Sequence, residues 1–202
     1  MERFADIEIL RYELTGFEKL SLREKRLVYC LSQATLWGRD ITFDQYGAYN
    51  LKIRQLLECI YTYFGEETCG DACYAHRVLY LKRIWFSNGI HHHYSGMKMQ
   101  PGFSREYFVR LVKSIPAEKN ALLETTNIDV LLDELLPVMF DEDVMPQRVN
   151  HSDGEDLVAT SASNYYEGVT DAEVQAYYNE KKLTDDKPSW GLNSRLSKKD
   201  GV

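Results

Sequence analysis

The sequence predicts an α+β, mainly α protein on three observations. Five apolar stripes at three- and four-residue spacing precede Phe140, two capping boxes mark helix starts, and acidic, small and turn-forming residues dominate after Phe140. Residues 1–140 are therefore read as a bundle-like helical part, and residues 141–202 as a mixed loop, strand and helix part. With 44% hydrophobic and 12% aromatic residues in 202, there is ample material for a core.

Ser21-Leu22-Arg23-Glu24 is a capping box ahead of Leu27, Val28, Leu31, Ala34 and Thr35, with Gly38 as the stop. A second helix, from about Tyr49 to Phe64, should bury Ile53, Leu56, Leu57, Ile60 and Phe64 and end at Gly65. A third carries Ala72, Ala75, His76, Leu79, Tyr80 and Arg83 and stops at Asn88-Gly89, which suits the left-handed turn. Ser104 is an N-cap for Tyr107, Phe108, Leu111, Val112 and Ile115, interrupted by Pro116. A fifth stripe, Ile128, Leu131, Leu132, Leu135 and Leu136, follows Asn127 and is expected to close at Pro137.

Beyond the acidic run Asp141-Glu142-Asp143, one short strand is expected around Leu157 to Ser161. Thr170-Asp171-Ala172-Glu173 is the second capping box, with Val169 and Val174 placed as its hydrophobic staple, and its helix should end near Lys182. Trp190, Leu192, Ser194 and Leu196 then alternate as a half-buried strand would, and Lys198-Lys199-Asp200-Gly201 reads as a hairpin turn. The return strand would begin at Val202, so the expectation is a piece truncated at a β-hairpin.

A net charge of −7 with no basic stripe gives no reason to expect a nucleic acid partner. No apolar run approaches the roughly 20 residues that cross a bilayer, so no membrane partner is expected. The start Met-Glu-Arg-Phe-Ala-Asp lacks signal-peptide regions, which points to the cytoplasm. Cys30 and Cys59 fall in helical patterns, and Cys69 and Cys73 are spaced C-x-x-x-C; two bridges are possible, but reduced thiols packed as small hydrophobes are the expectation.

Three of the five histidines, His91, His92 and His93, lie in the segment from Trp85 to Phe103, between two helices and among aromatic and glycine residues. Long shaped loops on rigid elements favour binding residues, so this segment is the candidate site. Imidazoles invite a metal reading, yet adjacent residues of an extended loop alternate sides and no nearby Asp, Glu or Cys completes a tetrahedron. Loop structure or a polar cleft lining is the plainer role. Asp141, Glu142 and Asp143 could be pictured as an acid and base pair or a calcium loop, but lack EF-hand spacing and read as a solvated turn. Asn164-Tyr165-Tyr166-Glu167-Gly168, just before a helix N-terminus, could hold a peptide or carboxylate, or simply pack as a tyrosine-rich loop. No G-x-S-x-G, P-loop or dinucleotide fingerprint occurs.

Three separated tracts occur in order: Phe4-Ala5-Asp6-Ile7-Glu8-Ile9-Leu10-Arg11-Tyr12, the run Tyr-Leu-Lys-Arg-Ile-Trp-Phe-Ser-Asn-Gly-Ile-His-His-His-Tyr at 80–94, and Ser189-Trp190-Gly191-Leu192-Asn193-Ser194-Arg195-Leu196. With them the chain resembles the N-terminal portion of bacterial, Bacteroides-type dipeptidyl peptidase III. The resemblance implies a zinc exopeptidase that releases dipeptides from the N-terminus of short peptides, built as two lobes around a cleft. It also implies that the few strands here belong to a small β-barrel in the lobe opposite the zinc. The family's zinc motif, H-E-x-x-x-H with a later E-E-C-x-A-E, is not in this sequence. The isolated chain is therefore expected to be inactive and to hold no metal, with the zinc-bearing lobe of the same polypeptide and a short peptide as its partners. By the same resemblance Tyr94 falls at a substrate subsite, and Asn88, Tyr94 and His92 or His93 are the expected substrate contacts. The alternative is a non-catalytic helical module that binds a peptide or protein through the same loop.

Overall fold

The computed structural model describes residues 2–65, 72–181 and 195–201. Within them the protein is mainly helical with a few short strands in two small sheets, as the stripes predict. A hairpin opens the chain: β1 (Glu2–Phe4) pairs antiparallel with β2 (Ile7–Ile9), Phe4 opposite Ile7, so that Ala5 and Asp6 make the turn. Eight helices follow among the described residues: α1 (Leu22–Trp37), α2 (Arg39–Tyr46), α3 (Asn50–Phe64), α4 (Ala72–Ser87), α5 (Arg105–Lys113), α6 (Ala121–Thr125), α7 (Ile128–Phe140) and α8 (Asp171–Lys181). A parallel pair of two residues each, β3 (Tyr166–Glu167) and β4 (Leu196–Ser197), joins the C-terminal part.

α3 is the hub, in contact with α2, α4, α5 and α6, while α5 packs on α7. Its stripe does what its spacing predicts: Ile53, Leu56, Leu57 and Ile60 are fully buried. Around it gather Phe43 of α2, Leu81 and Ile84 of α4, Phe108 and Val112 of α5 and Leu131 and Leu135 of α7. Both capping boxes form. Ser21 Oγ accepts from the Glu24 amide while the Glu24 carboxylate accepts from the Ser21 amide, and Thr170 and Glu173 do the same. Val169 and Val174 are buried beside the second box, as a staple should be.

Several expectations are corrected. α4 turns Arg77, Tyr80, Leu81, Ile84 and Ser87 inward and leaves Ala75 and His76 exposed, because its neighbours α3 and the loop after it lie on that other face. α7 runs past Pro137 to Phe140, since Val138 and Met139 bury onto the core and the Asp141 amide donates to the Pro137 carbonyl at 3.0 Å. No strand forms at Leu157 to Ser161. There the Asp156 carboxylate accepts from the amides of Val158 and Ala159, and the Thr160 amide reaches back to the Asp156 carbonyl at 3.0 Å, which curls the segment into a turn. Of the expected final strand Arg195, Leu196 and Ser197 fall within the described residues, the last two as β4; Trp190, Leu192 and Ser194 lie outside them. In the turn that follows, Asp200 and Gly201 both take positive φ. α1 forms with its capping box, but among the described residues none of its expected stripe is buried. Cys59 is buried as a small hydrophobe, whereas Cys30 is exposed on α1, and both are free thiols; Cys73 is partly buried, and Cys69 lies outside the described residues. No helix among the described residues is long and apolar enough to cross a membrane.

One side chain sets where the histidine segment begins. Asn50 is buried, and its Oδ1 accepts the backbone N–H of Ile90 at 3.1 Å, 40 residues away. Gly89 passes so close that a Cβ there would collide with the Asn50 amide, and its φ of 154° suits glycine. Removing the acceptor in Asn50→Ala leaves the Ile90 N–H buried and unpaired, so stability should fall by about 1–3 kcal/mol in urea unfolding; an unchanged midpoint would show that this bond does not hold the segment.

Candidate functional site

The segment after α4 is a compact, well-tethered loop. It starts with Asn88 at φ 55°, the left-handed stop that the Asn-Gly pair predicts. The chain then doubles back. The Met99 amide donates to the Ile90 carbonyl and the His92 amide to the Met97 carbonyl, both at 2.8 Å, with His91 opposite Lys98. A further stretch pairs alongside: Lys98 donates to Pro146, Arg148 to Gly96, and next in line Ala162 to Gln147 and Ser163 to Arg148, at 2.8–3.1 Å. At the far end His76 of α4 donates from Nδ1 to the Gly102 carbonyl at 2.7 Å.

The three histidines have three different environments. His91 is only 2% exposed; its Nε2–H donates to the Met145 carbonyl at 2.8 Å, and its Nδ1 has no hydrogen-bond partner among the described residues. Burial pushes its pKa down to about 4, because protonation would put a charge and an unpaired donor in the core. His92 accepts at Nδ1 from the amides of Tyr94 and Ser95, at 3.3 and 3.2 Å, which leaves Nε2 as the protonated nitrogen; it donates to the Asp6 carboxylate at 2.9 Å. This imidazole is committed on both sides and ties the β1–β2 turn to the loop. His93 is exposed, with its ring 4.7 Å from Phe86 and 4.3 Å from that of His92; burial against these rings, then the neighbouring His92, depresses its pKa.

Of the candidate residues, the structure brings His92 and His93 together and hangs Tyr94 from His92 by its amide, with the phenol ring 88% exposed at the loop tip. Asn88 sits at the other end of the bend, and among the described residues its side chain makes no hydrogen bond to this group. Beside the pair lies an open depression of about 530 Å³ lined by Asp6, Arg83, His92, Ser95, Met97 and Lys98 with Met99 and Gln100. Its lining mixes polar with apolar side chains and holds both signs of charge. Asp6 has its carboxyl held below the usual range, first by its own backbone amide and then by His92, with Arg83 3.9 Å away. Lys98 is turned toward the end of α7, where it donates to the carbonyls of Asp141 and, at 2.5 Å, Val144; burial lowers its pKa.

Asp6, Arg83 and Lys98 are charged contributors that sequence reasoning did not assign to the site. The signal for Asp6 was local: alternating Phe4, Ile7 and Ile9 around a two-residue turn. Lys98 had none, because its partners are backbone carbonyls more than 40 residues away. Among the described residues, no three of His, Cys, Asp and Glu converge on a point where a metal ion could sit.

The other two constellations fold as their plainer readings. Asp141 Oδ1 accepts from the Asp143 amide in a tight acidic turn. The N-terminus of α8, beside Asn164 to Gly168, already holds two carboxylates: Asp156 accepts the Asp171 amide at 3.0 Å and Glu173 accepts that of Thr170 at 2.9 Å. Lys198 donates to Glu173 at 2.6 Å, and this bond first, then those from Thr170, holds the Glu173 pKa down to about 2. Two amides at that helix end are thus already taken by the chain's own carboxylates. No protein-family model matches this chain, and no curated protein matches it.

His91 makes stability depend on pH with a definite sign. Its pKa is lower folded than unfolded, so between the ordinary 6.5 and about 4 the unfolded chain binds a proton that the folded chain refuses. Stability therefore falls as the pH drops through that window, by up to about 3 kcal/mol from this residue. In His91→Gln, whose amide can keep the bond to Met145, that part of the slope should vanish in urea unfolding at about pH 7 and about pH 4.5. A variant that weakens as steeply as the parent would exclude His91 as the source.

Proposed function

We propose that this chain is the substrate-binding lobe portion of a zinc exopeptidase resembling dipeptidyl peptidase III, which releases dipeptides from the N-terminus of short peptides. The observation that carries the reading is the tract from Tyr80 to Tyr94. It bears the resemblance, and it folds into a tethered loop that holds an exposed aromatic ring and an exposed imidazole beside a depression of mixed charge. A short peptide brings an ammonium group, carbonyls and side chains to such a surface. Asp6 is suited to the first and Arg83 to the second, while Tyr94 and His93 offer ring faces. His92 contributes by holding the loop to Asp6, and Asn88 by setting the bend from which the loop departs.

The part of this chain in catalysis is then to position the peptide and exclude water, which lowers the entropic cost of reaching the reactive geometry. Zinc belongs to the remainder of the proposed protein. The residues here do not fit it, since none of the histidines is followed by Glu and no metal-holding group forms among the described residues, so none is assigned to it. The second reading, a non-catalytic helical module, uses the same loop and needs no zinc-bearing region. The source DNA separates the two: a reading frame that continues into H-E-x-x-x-H and then E-E-C-x-A-E supports the peptidase, and one that lacks them leaves the binding module.

Replacing Tyr94 with Ala should weaken peptide binding in the zinc-bearing polypeptide by about 3- to 10-fold, the worth of one aromatic contact, and leave its zinc content unchanged. Equal affinity of mutant and parent by calorimetry would remove Tyr94 from the site.

A further inference from the structure

Arg83 lines the depression beside His92, and among the described residues it makes no hydrogen bond. Its Nε is buried without a partner, its side chain is only 26% exposed, and the nearest carboxylate, Asp6, stands 3.9 Å from Nη2. That separation is beyond hydrogen-bond length, and the other Asp6 oxygen already accepts from His92 at 2.9 Å. A guanidinium carries five N–H donors in a planar fork and keeps its proton, so holding it mostly buried and unmatched is costly until an anion completes it. The rest of the lining narrows the choice of ligand. Ser95 Oγ accepts from the Met97 amide at 3.3 Å and keeps its O–H to donate, while Gln100 is exposed with its side-chain amide unpaired among the described residues. A metal cation would be repelled by Arg83 and Lys98 and find one carboxylate, already engaged. The Arg83 fork matches the two oxygens of a carboxylate, and Met97, 48% exposed, offers an apolar wall to the organic body behind it.

We propose that this depression is a carboxylate-binding site anchored by Arg83, with Ser95 and Gln100 as further donors on its wall. For its carrier, a short peptide, the proposal rests on the reading above; for the carboxylate it rests on Arg83 alone. The carboxylate is the peptide's C-terminus or an acidic side chain, the same chemistry from two sources.

The test titrates the 202-residue chain by NMR, read at the Ser95 and Met97 amides. The probes are acetate, inorganic phosphate, acetylated trialanine with a free C-terminus, the same peptide amidated, and the amidated peptide with its central Ala replaced by Glu. The free C-terminus or the Glu peptide should bind at least about tenfold more tightly than amidated trialanine, and which of them does so names the source of the carboxylate. Arg83→Gln should abolish that preference and leave the unfolding midpoint unchanged, since the fold loses no hydrogen bond with it. Arg83→Lys keeps the charge without the fork and should retain only part of the preference. Equal affinity for free and amidated peptides overturns the proposal. So do a preference that survives Arg83→Gln, full affinity in Arg83→Lys, and phosphate binding tighter than any carboxylate. Acetate bound through Arg83 with no response to the peptides keeps the site and discards the peptide reading. Peptides bound without regard to a carboxylate or to Arg83 do the reverse.

Discussion

The hydrogen bond from the Ile90 amide to the Asn50 side chain is the constraint on which the candidate site depends. It joins the first turn of the hub helix α3 to the first residue of the loop after Gly89, deep enough that water is not a substitute. From that point the backbone direction is set, and Ile90 and His91 drop into the core while the next residues emerge. Gly89 is required twice over, by its φ and by the space that Asn50 fills. A loop anchored this way spends little entropy on ordering when a ligand arrives, because it is already ordered.

Three consecutive imidazoles show how environment, not residue type, decides chemistry. His91 is kept neutral by burial, His92 is fixed as one tautomer by two amides and a carboxylate, and His93 keeps its ring at the surface on Phe86. Had they pointed to one spot they would have resembled a metal site. The backbone turn at 93–95 instead gives each a different neighbour, so that two of the three serve as struts. The site also recruits Asp6 from the N-terminal hairpin, so β1 and β2, only three residues each, earn their stability by docking on α4 through Glu2 to Lys82 at 2.6 Å and Phe4 on Phe86.

The energetic contrast within the chain is between α3 and α1. Both are long helices, yet one is the centre of the core and the other, though it has the better N-terminal cap, buries none of its residues among those described. For α1, local terms alone are marginal at sixteen residues, since most helical stability comes from tertiary packing. Its capping box defines where it starts, and its side chains stay exposed among the described residues.

Helix starts and several stops were legible in the sequence because they are local: Ser21 with Glu24, Ser104, Asn127, Thr170 with Glu173, and the turn at Asn88-Gly89 depend on atoms within four residues. The stripes of α3, α5 and α7 were legible for the same reason, since spacing alone puts Ile53 and Leu57, or Leu131 and Leu135, on one face. Short elements were not: α2, α6 and the opening hairpin carry too few residues for a period to show. What lay beyond reach was every feature fixed by a distant partner. Tertiary packing chose the buried face of α4, carried α7 through Pro137, and bent 157–161 around Asp156. It also sent His91 inward to Met145 and His92 to Asp6, because a side chain's fate at a loop depends on which backbone carbonyl or carboxylate the fold brings within 3 Å, and no local pattern encodes that.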